Sequence, residues 1–458
     1  MLQRVLGAPR MPARRTLAAD ALARTKVLPL PTGFGKTALT AALFAVGTAL
    51  CLATGTSIAS VVDGFSFNVL VILVTMELFT GMLAQTGAME AVAIRLAIVS
   101  RGRRATLAAL LCALMFLVSS FLNNITAILV ILPCVFVLLR ALEPDRRYLT
   151  VLFAAILAVS NLGGASTGVG DLPAVLIVQS GVTTFAEYTL AAFPFFAACA
   201  AVLTGFWLAM LRGKRQRVDR QNRQTDQDAA ASFAIAVLQS QYAHIGVDRK
   251  MLTPLAIILG LMVTAWMTVP ASVMPSDMIA VLGCVCAVAA FAACGGKPRQ
   301  IMDMGNVLTI ASFLFIASCI SATGALDAVA DALRGVFPDD GAYLTAVLVL
   351  ASLLAGLVGA GPAAACCLPI VCDLATTAFA ANHTAVMVAY GAAICAGSSL
   401  FLWSATAGFI LSGKIETSGI RDDAARPLSF GIGDYLKYGL ANYAIQFALA
   451  LALMALSF

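Results

Sequence analysis

Apolar runs of about 17 to 25 residues recur from Lys36 to the C-terminus, and each is long enough to cross a bilayer core of about 30 Å. They fall at about 37–55, 67–87, 105–121, 126–141, 150–178, 189–211, 251–269, 276–294, 306–324, 342–358, 363–380, 385–412 and 436–457. Backbone polar groups in lipid must be satisfied within the segment, which makes these runs helices; the period-2 alternation of a membrane barrel is absent. The predicted fold is an all-α polytopic membrane protein. Two features interrupt the pattern. Asn123-Asn124 separates two short apolar segments with no charge at the turn, which predicts a re-entrant hairpin, and the pair 342–358 and 363–380 reads the same way. The stretch from Asn161 to Pro173 is rich in glycine and ends in proline, so the run around it is predicted to be a broken helix.

Composition agrees with this reading. Of 458 residues 61% are hydrophobic and 11% charged, against roughly a quarter charged in a soluble domain, and mean hydropathy is +0.94. The net charge of +6 does not indicate a nucleic-acid partner, because the bases sit in short loops and no aromatic and basic residues interleave on one face. The twelve cysteines fall nearly all within or at the ends of apolar runs and form no paired CxxC clusters, which makes them small buried hydrophobes. Pro31 to Thr37 resembles a phosphate-binding loop, but Leu30 stands where its first glycine belongs and no strand precedes it. No HExxH occurs and no Ser/His or paired-Asp arrangement is convincingly placed, so an enzyme is not expected and no cofactor is implied.

Lysine and arginine set the topology. The tail with Arg4, Arg10, Arg14, Arg15, Arg24 and Lys26 and the loops holding Arg95 to Arg104, Arg140 to Arg147, Arg212 to Lys250, Lys297 to Arg299 and Lys414 to Arg426 all fall on one side. That places the N-terminus in the cytoplasm and the protein in the plasma (inner) membrane, in contact with the lipid bilayer. The chain divides into a basic tail (1–35), a first transmembrane repeat (36–211), a cytoplasmic linker (212–250) and a second repeat (251–458).

The repeat is visible in the residues. Thr86-Gly87-Ala88-Met89-Glu90-Ala91-Val92-Ala93 recurs as Thr323-Gly324-Ala325-Leu326-Asp327-Ala328-Val329-Ala330, Pro133 matches Pro369, and the break at Gly163-Gly164-Ala165 matches Gly397-Ser398-Ser399. The first copy closes a run heading inward and the second a run heading outward, so the repeats are expected to be inverted. Inverted repeats with broken helices put exposed amides, half-helix N-termini and freed carbonyls near the midplane, where ions bind.

Phe121-Leu122-Asn123-Asn124-Ile125-Thr126 and Ser160 through Pro173 resemble the ion transporter superfamily, on its arsenite-permease and NhaD-type sodium/proton antiporter branch, which is citrate-transporter-like. The resemblance covers about residues 60–458. It implies a first half-site lined by Asn123, Asn124, Thr126, Asn161, Gly163, Ser166, Thr167 and Asp171, and a second using Ser398, Ser399, Ser404 and Thr406. Asn124 and Asp171 are the positions it implies for a sodium ion, and it permits a homodimer. The chain departs from the family at Gly359-Ala360-Gly361-Pro362, which keeps the proline of the second hairpin tip but loses both polar residues, and at Asn123, where antiporters commonly carry Asp.

Two carboxylates stand out within apolar sequence. An ionised one costs at least about 2.5 kcal/mol at the bilayer centre unless partnered. Asp171 reads as a cation ligand or proton carrier, or else as the cap of the helix that resumes after it. Glu77 reads as a coupling residue facing a cavity, or else as the structural partner of a neighbouring helix. The expected function is alternating-access transport of small ions or anionic solutes coupled to Na+ or H+, with a sodium/proton antiporter and the membrane subunit of an arsenite or oxyanion pump as alternatives.

Overall fold

The computed structural model describes residues 32–100, 103–142, 146–212, 247–298, 301, 304–405, 407–419, 428 and 430–457. The basic tail through residue 31, most of the 212–250 linker and Thr406 lie outside the described residues. Among those described every regular element is helical. The first half comprises α1 (Thr32–Thr54), α2 (Ile58–Asp63), α3 (Phe67–Ala84), α4 (Ala88–Val99), α5 (Arg104–Ser119), α6 (Asn124–Leu142), α7 (Arg146–Ala165), α8 (Leu172–Gln179) and α9 (Phe185–Arg212). The second comprises α10 (Arg249–Thr268), α11 (Ser276–Ala293), α12 (Met304–Ala322), α13 (Ala325–Val336), α14 (Asp340–Val358), α15 (Ala360–Thr376), α16 (His383–Ser398), α17 (Gly408–Thr417) and α18 (Ile432–Ser457). Eight helices are long and apolar enough to cross a membrane, and α15 and α16 form a further apolar pair bent by 112°.

Helix starts at 67, 88, 104, 124, 146 and 172 recur at 304, 325, 340, 360, 383 and 408, each time 236 or 237 residues later. The paired octapeptides adopt one local structure. Gly87 (φ 71°) and Gly324 (φ 69°) each hold a left-handed conformation at the N-cap of a 12-residue helix, a backbone state that side chains with a Cβ resist. Packing is reciprocal between the halves: α12 lies on α1 and α3 on α11, while α8 lies on α15 and α6 on α17.

At the centre are α7 and α16, which touch each other. The apolar window of α7 is 100% buried, and α16 is buried continuously from Val386 to Ser398. Neither helix meets lipid over those stretches, so interrupted backbone at their ends is surrounded by protein, the condition under which it is tolerated at membrane depth. Small residues set this packing. A Cβ at Gly163 would lie 2.6 Å from the Phe116 carbonyl oxygen of α5, and a Cβ at Gly397 would collide with the Ser352 carbonyl of α14.

That packing corrects one boundary. The break expected from Asn161 onward begins later, because α7 stays helical through Asn161, Gly163 and Gly164 to Ala165. Glycine disfavours a helix in water, but here the missing side chains let α7 lie against α5 and keep its hydrogen bonds. Only residues 166–171 leave the helix before α8. In the first hairpin the turn falls at residues 120–123 and Asn124 already opens α6. In the second, Gly359 alone (φ 99°) separates α14 from α15. Its first arm, α14, is by itself long and apolar enough for a full crossing.

Candidate functional site

The two helix breaks meet. Asn161, in the penultimate turn of α7, donates through Nδ2 to Ser398 Oγ and Ser399 Oγ, both at 3.2 Å, and all three residues are buried. Cys395 Sγ, one turn before Ser399, lies 3.5 Å from the Asn161 carbonyl. This joins residues more than 230 positions apart into one polar layer between α7 and α16.

Asp171 lies on the first-half side of that layer. Its extended backbone (φ −147°, ψ 163°) makes it the N-cap of α8, with Oδ1 accepting from the Leu172 amide at 2.8 Å. Its other oxygen, Oδ2, accepts from Asn124 Nδ2 at 2.8 Å. Asn124 is fully buried at the start of α6, and its Oδ1 is met by Ser119 Oγ, which is also 2.8 Å from the Ser160 carbonyl. Gly164 makes room for this contact, since a Cβ there would fall 2.6 Å from Asn124 Oδ1 and 2.9 Å from the Asp171 Cβ. Asp171 therefore both caps a helix and bonds the hairpin. The second hairpin tip is adjacent, because a Cβ on Gly361 would sit 2.5 Å from Leu172 Cδ2.

Ser166 and Thr167 brace the break against the α5–α6 corner. Ser166 Oγ lies 2.8 Å from Ser120 Oγ and 2.7 Å from the Gly163 carbonyl, and the Thr167 hydroxyl donates to the Ser120 carbonyl. In the second break Ser404 Oγ reaches the carbonyls of Ser398 (3.0 Å) and Phe401 (2.8 Å). Thus Asn124, Asn161, Ser166, Thr167, Asp171, Ser398, Ser399 and Ser404 gather around the two breaks, while Gly163 contributes the close helix approach.

Other expected residues lie elsewhere in this arrangement. Asn123 Oδ1 accepts from the Ile125 amide at 2.9 Å and its carbonyl receives the Ala127 amide, the geometry of a helix cap. Thr126 is half-buried in the next turn and makes no side-chain hydrogen bond among the described residues. Glu77 accepts from Asn306 Nδ2 of α12 at 2.6 Å, so this half-buried carboxylate engages a helix of the other half. Thr406 is outside the described residues.

Several site residues carry no sequence signal of their own. Ser119, Ser120 and Ser160 are single hydroxyls in apolar runs. Tyr188 and Tyr435, each the fourth residue of its helix and each fully buried, donate to the carbonyls at the two breaks: Tyr188 to Ala165 at 2.8 Å and Tyr435 to Ser399 at 2.7 Å. These are carbonyls that a helix end leaves without an intrahelical donor. On α18, Gln446 Oε1 lies 3.5 Å from Ser399 Oγ, and Trp207 Nε1 donates to Asn442 Oδ1 at 2.9 Å. That bond turns the buried Asn442 amino group away from the indole. Polar residues in a helix interior are a recognisable signal, but only α18's packing against α16 shows where they point.

The sequence pattern of the citrate transporter family (CitMHS) matches residues 32–391, which is most of the chain; it spans the first break and ends within α16, before the second. The chain belongs to the citrate transporter family. It is a multi-pass membrane transporter of the ion transporter superfamily. This family member is 26% identical over 398 residues to the 46 kDa membrane protein of Mycobacterium leprae, a match covering 84% of this chain and 85% of that protein. It is 31% identical over 179 residues to the P protein of Mus musculus, and 34% identical over 127 residues to the uncharacterized transporter Rv2684 of Mycobacterium tuberculosis. The match to the P protein covers 38% of this chain and 21% of that relative's length, and the match to Rv2684 covers 28% and 29%.

Proposed function

We propose that this protein is an alternating-access carrier of a small anionic solute, of the carboxylate class that the family's name denotes, coupled to a cation. The observation that carries the reading is the junction of the two breaks through Asn161 and Ser398/Ser399, with Asp171 and Asn124 beside it. The first break offers oxygens from one carboxylate, one amide, hydroxyls and backbone carbonyls, a set suited to a hard monovalent cation. The second offers neutral hydroxyls, and the Asn442 amino group stands on the helix packed against it, with no cationic side chain among these groups. An anion there is held by hydroxyls, amides and the bound cation itself.

The two halves are inverted repeats. The recurrence of helix starts and the reciprocal packing support this, and five candidate spans precede α12 from α3 onward, an odd number that reverses the chain's direction. In such a fold the rocking of one bundle past the other exposes a central site alternately to the two sides.

The test is uptake into proteoliposomes of citrate, other di- and tricarboxylates and inorganic ions, under imposed sodium or proton gradients. Concentrative carboxylate uptake driven by one cation is expected, with the drive abolished in Asp171→Asn. Failure of every carboxylate to move under either gradient sinks the reading. The presence of a single carboxylate among neutral donors also favours a second reading, a sodium/proton antiporter of the NhaD type with Asp171 as shared site. Its signature is a sodium-dependent change of internal pH in vesicles that contain no transportable anion.

A further inference from the structure

Apart from the polar layer between the breaks, the ends of three candidate membrane spans line a cavity of about 680 Å³, one face of which is the turn of α18 that carries Tyr435 to the second break. The N-terminus of α7 contributes Arg146 and Arg147, the C-terminal turns of α9 contribute Trp207, and the N-terminal turns of α18 contribute Asp434, Lys437 and Tyr438. Three cations face one carboxylate among the described lining residues; Glu143 and Asp145 precede Arg146 in sequence and lie outside the described residues.

Two of the cations are held in place by neutral groups among the described residues. The Arg147 guanidinium donates to the Met210 carbonyl at 3.2 Å, and Lys437 Nζ stands 4.8 Å from the centre of the Tyr438 ring. Arg146 approaches Asp434 at 3.5 Å, with about a third of each side chain exposed. Neither Arg147 nor Lys437 has an ion pair among the described residues. Next to this polar end the outward faces are greasy: Phe206 and Met210 on α9 are 38% and 43% exposed, and Leu436 and Leu440 on α18 are 38% and 53% exposed. An aqueous anion needs the cations but not the apolar margin. A diacyl lipid needs both, because its phosphate meets the guanidinium and ammonium groups while its chains run down the two helices. Trp207 and Tyr438 have the amphipathic rings that settle at headgroup level, and the cavity volume falls within the range of small-molecule sites, about 300 to 1,000 Å³.

We propose that this cavity binds the phosphate headgroup of an anionic phospholipid, with Arg147 and Lys437 as its principal contacts. The site fastens the ends of α7, α9 and α18, the helices that frame the first break and flank the second, and it is independent of which solute is carried.

The test is native mass spectrometry of the full chain from detergent, titrated with phosphatidylglycerol, cardiolipin or phosphatidylcholine, alongside thermal melting with each lipid and with inorganic phosphate. The anionic lipids are expected to be retained at least fivefold over phosphatidylcholine and to raise the melting temperature. Arg147→Ala with Lys437→Ala should remove that preference, and the charge-preserving pair Arg147→Lys with Lys437→Arg should keep most of it. Lys437 is exposed, so Lys437→Ala alone serves if the double variant does not fold, with Arg334→Ala on the distant Arg334–Asp340 pair as a control that leaves binding unchanged. Equal retention of phosphatidylcholine, or an unchanged preference in Lys437→Ala, overturns the proposal. So does inorganic phosphate matching the lipids in stabilisation.

Discussion

The first helix break and the second share a scaffold and differ in chemistry. Each follows a buried helix, each has a carbonyl at the end of that helix met by a tyrosine at the fourth position of the long helix that follows, and each depends on a glycine pressed against a carbonyl of the helix two before. Yet the first ends in Asp171, bonded to Asn124, whereas the described part of the second holds Ser398, Ser399 and Ser404 among apolar residues, with no carboxylate. Its hairpin tip likewise carries Gly359, Ala360 and Gly361 where the first carries two asparagines. The halves therefore share what shapes the backbone and differ in the polar groups at the breaks. A carboxylate in one half and only neutral groups in the other is the arrangement expected if one half-site takes the cation and the other the solute.

The largest test of that division is Asp171→Asn. The substitution keeps the size of the side chain and an oxygen for the Leu172 amide, but it removes the charge that a cation would meet and one acceptor facing Asn124. Hydrogen bonds to charged groups contribute about 1.5 to 3 kcal/mol, and each 1.4 kcal/mol or so is a factor of ten. Coupled uptake in vesicles should fall by about tenfold or more, while Ser398→Ala should raise the half-saturating solute concentration with the cation dependence unchanged. Equal effects of both variants on cation dependence would erase the distinction between the halves.

A second test strikes what the halves share. Gly397→Ala places a methyl against the Ser352 carbonyl, and Gly163→Ala does the same at Phe116 with more room. Overpacking typically costs about 1 to 3 kcal/mol, so both variants should melt at lower temperature in detergent, Gly397→Ala more so. If Gly163→Ala is the more damaging, the first break rather than the second is the tighter joint.

Much of this scaffold is legible in the sequence, because lipid leaves few options for apolar runs of this length and the octapeptides at 86 and 323 share one backbone conformation. The gathering of Asn124, Asp171, Asn161, Ser398 and Ser399 also follows from reading the breaks as equivalents. What escapes is direction. Asn123 and Asn124 are indistinguishable as letters, but one caps α6 and the other reaches Asp171, since consecutive helical positions point about 100° apart. Gly163-Gly164 reads as a break but is a packing seam, because propensity measured in water yields to close contact within a buried helix. Ser119, Tyr188 and Tyr435 are invisible beforehand, since a lone polar residue in a run shows no partner until the fold supplies one.

A third, milder test uses the tyrosines. Tyr188→Phe and Tyr435→Phe each remove one donor from a buried carbonyl, a loss of about 1 kcal/mol. The two should lower the melting temperature by similar amounts, but only Tyr435→Phe should alter solute affinity, because Ser399 also receives Asn161. Parallel effects on affinity would mean that both breaks contact the solute.

The smallest expected effect separates two neighbours. In Asn124→Ala the Asp171 carboxylate loses its amide donor and Ser119 loses an acceptor, so transport should fall nearly as far as in Asp171→Asn. In Asn123→Ala only the cap on the Ile125 amide is lost, a change of about 0.5 to 1 kcal/mol in helix stability. Uptake should stay within about twofold of the parent, since such a loss lowers the population of folded carrier without touching its bonds to Asp171. Asn123→Asp sharpens the point: a carboxylate caps as well as an amide there, so stability should be retained. If it also creates a second cation dependence, the tip itself faces the ion, and the first half-site extends from Asp171 across the whole turn at 120–123.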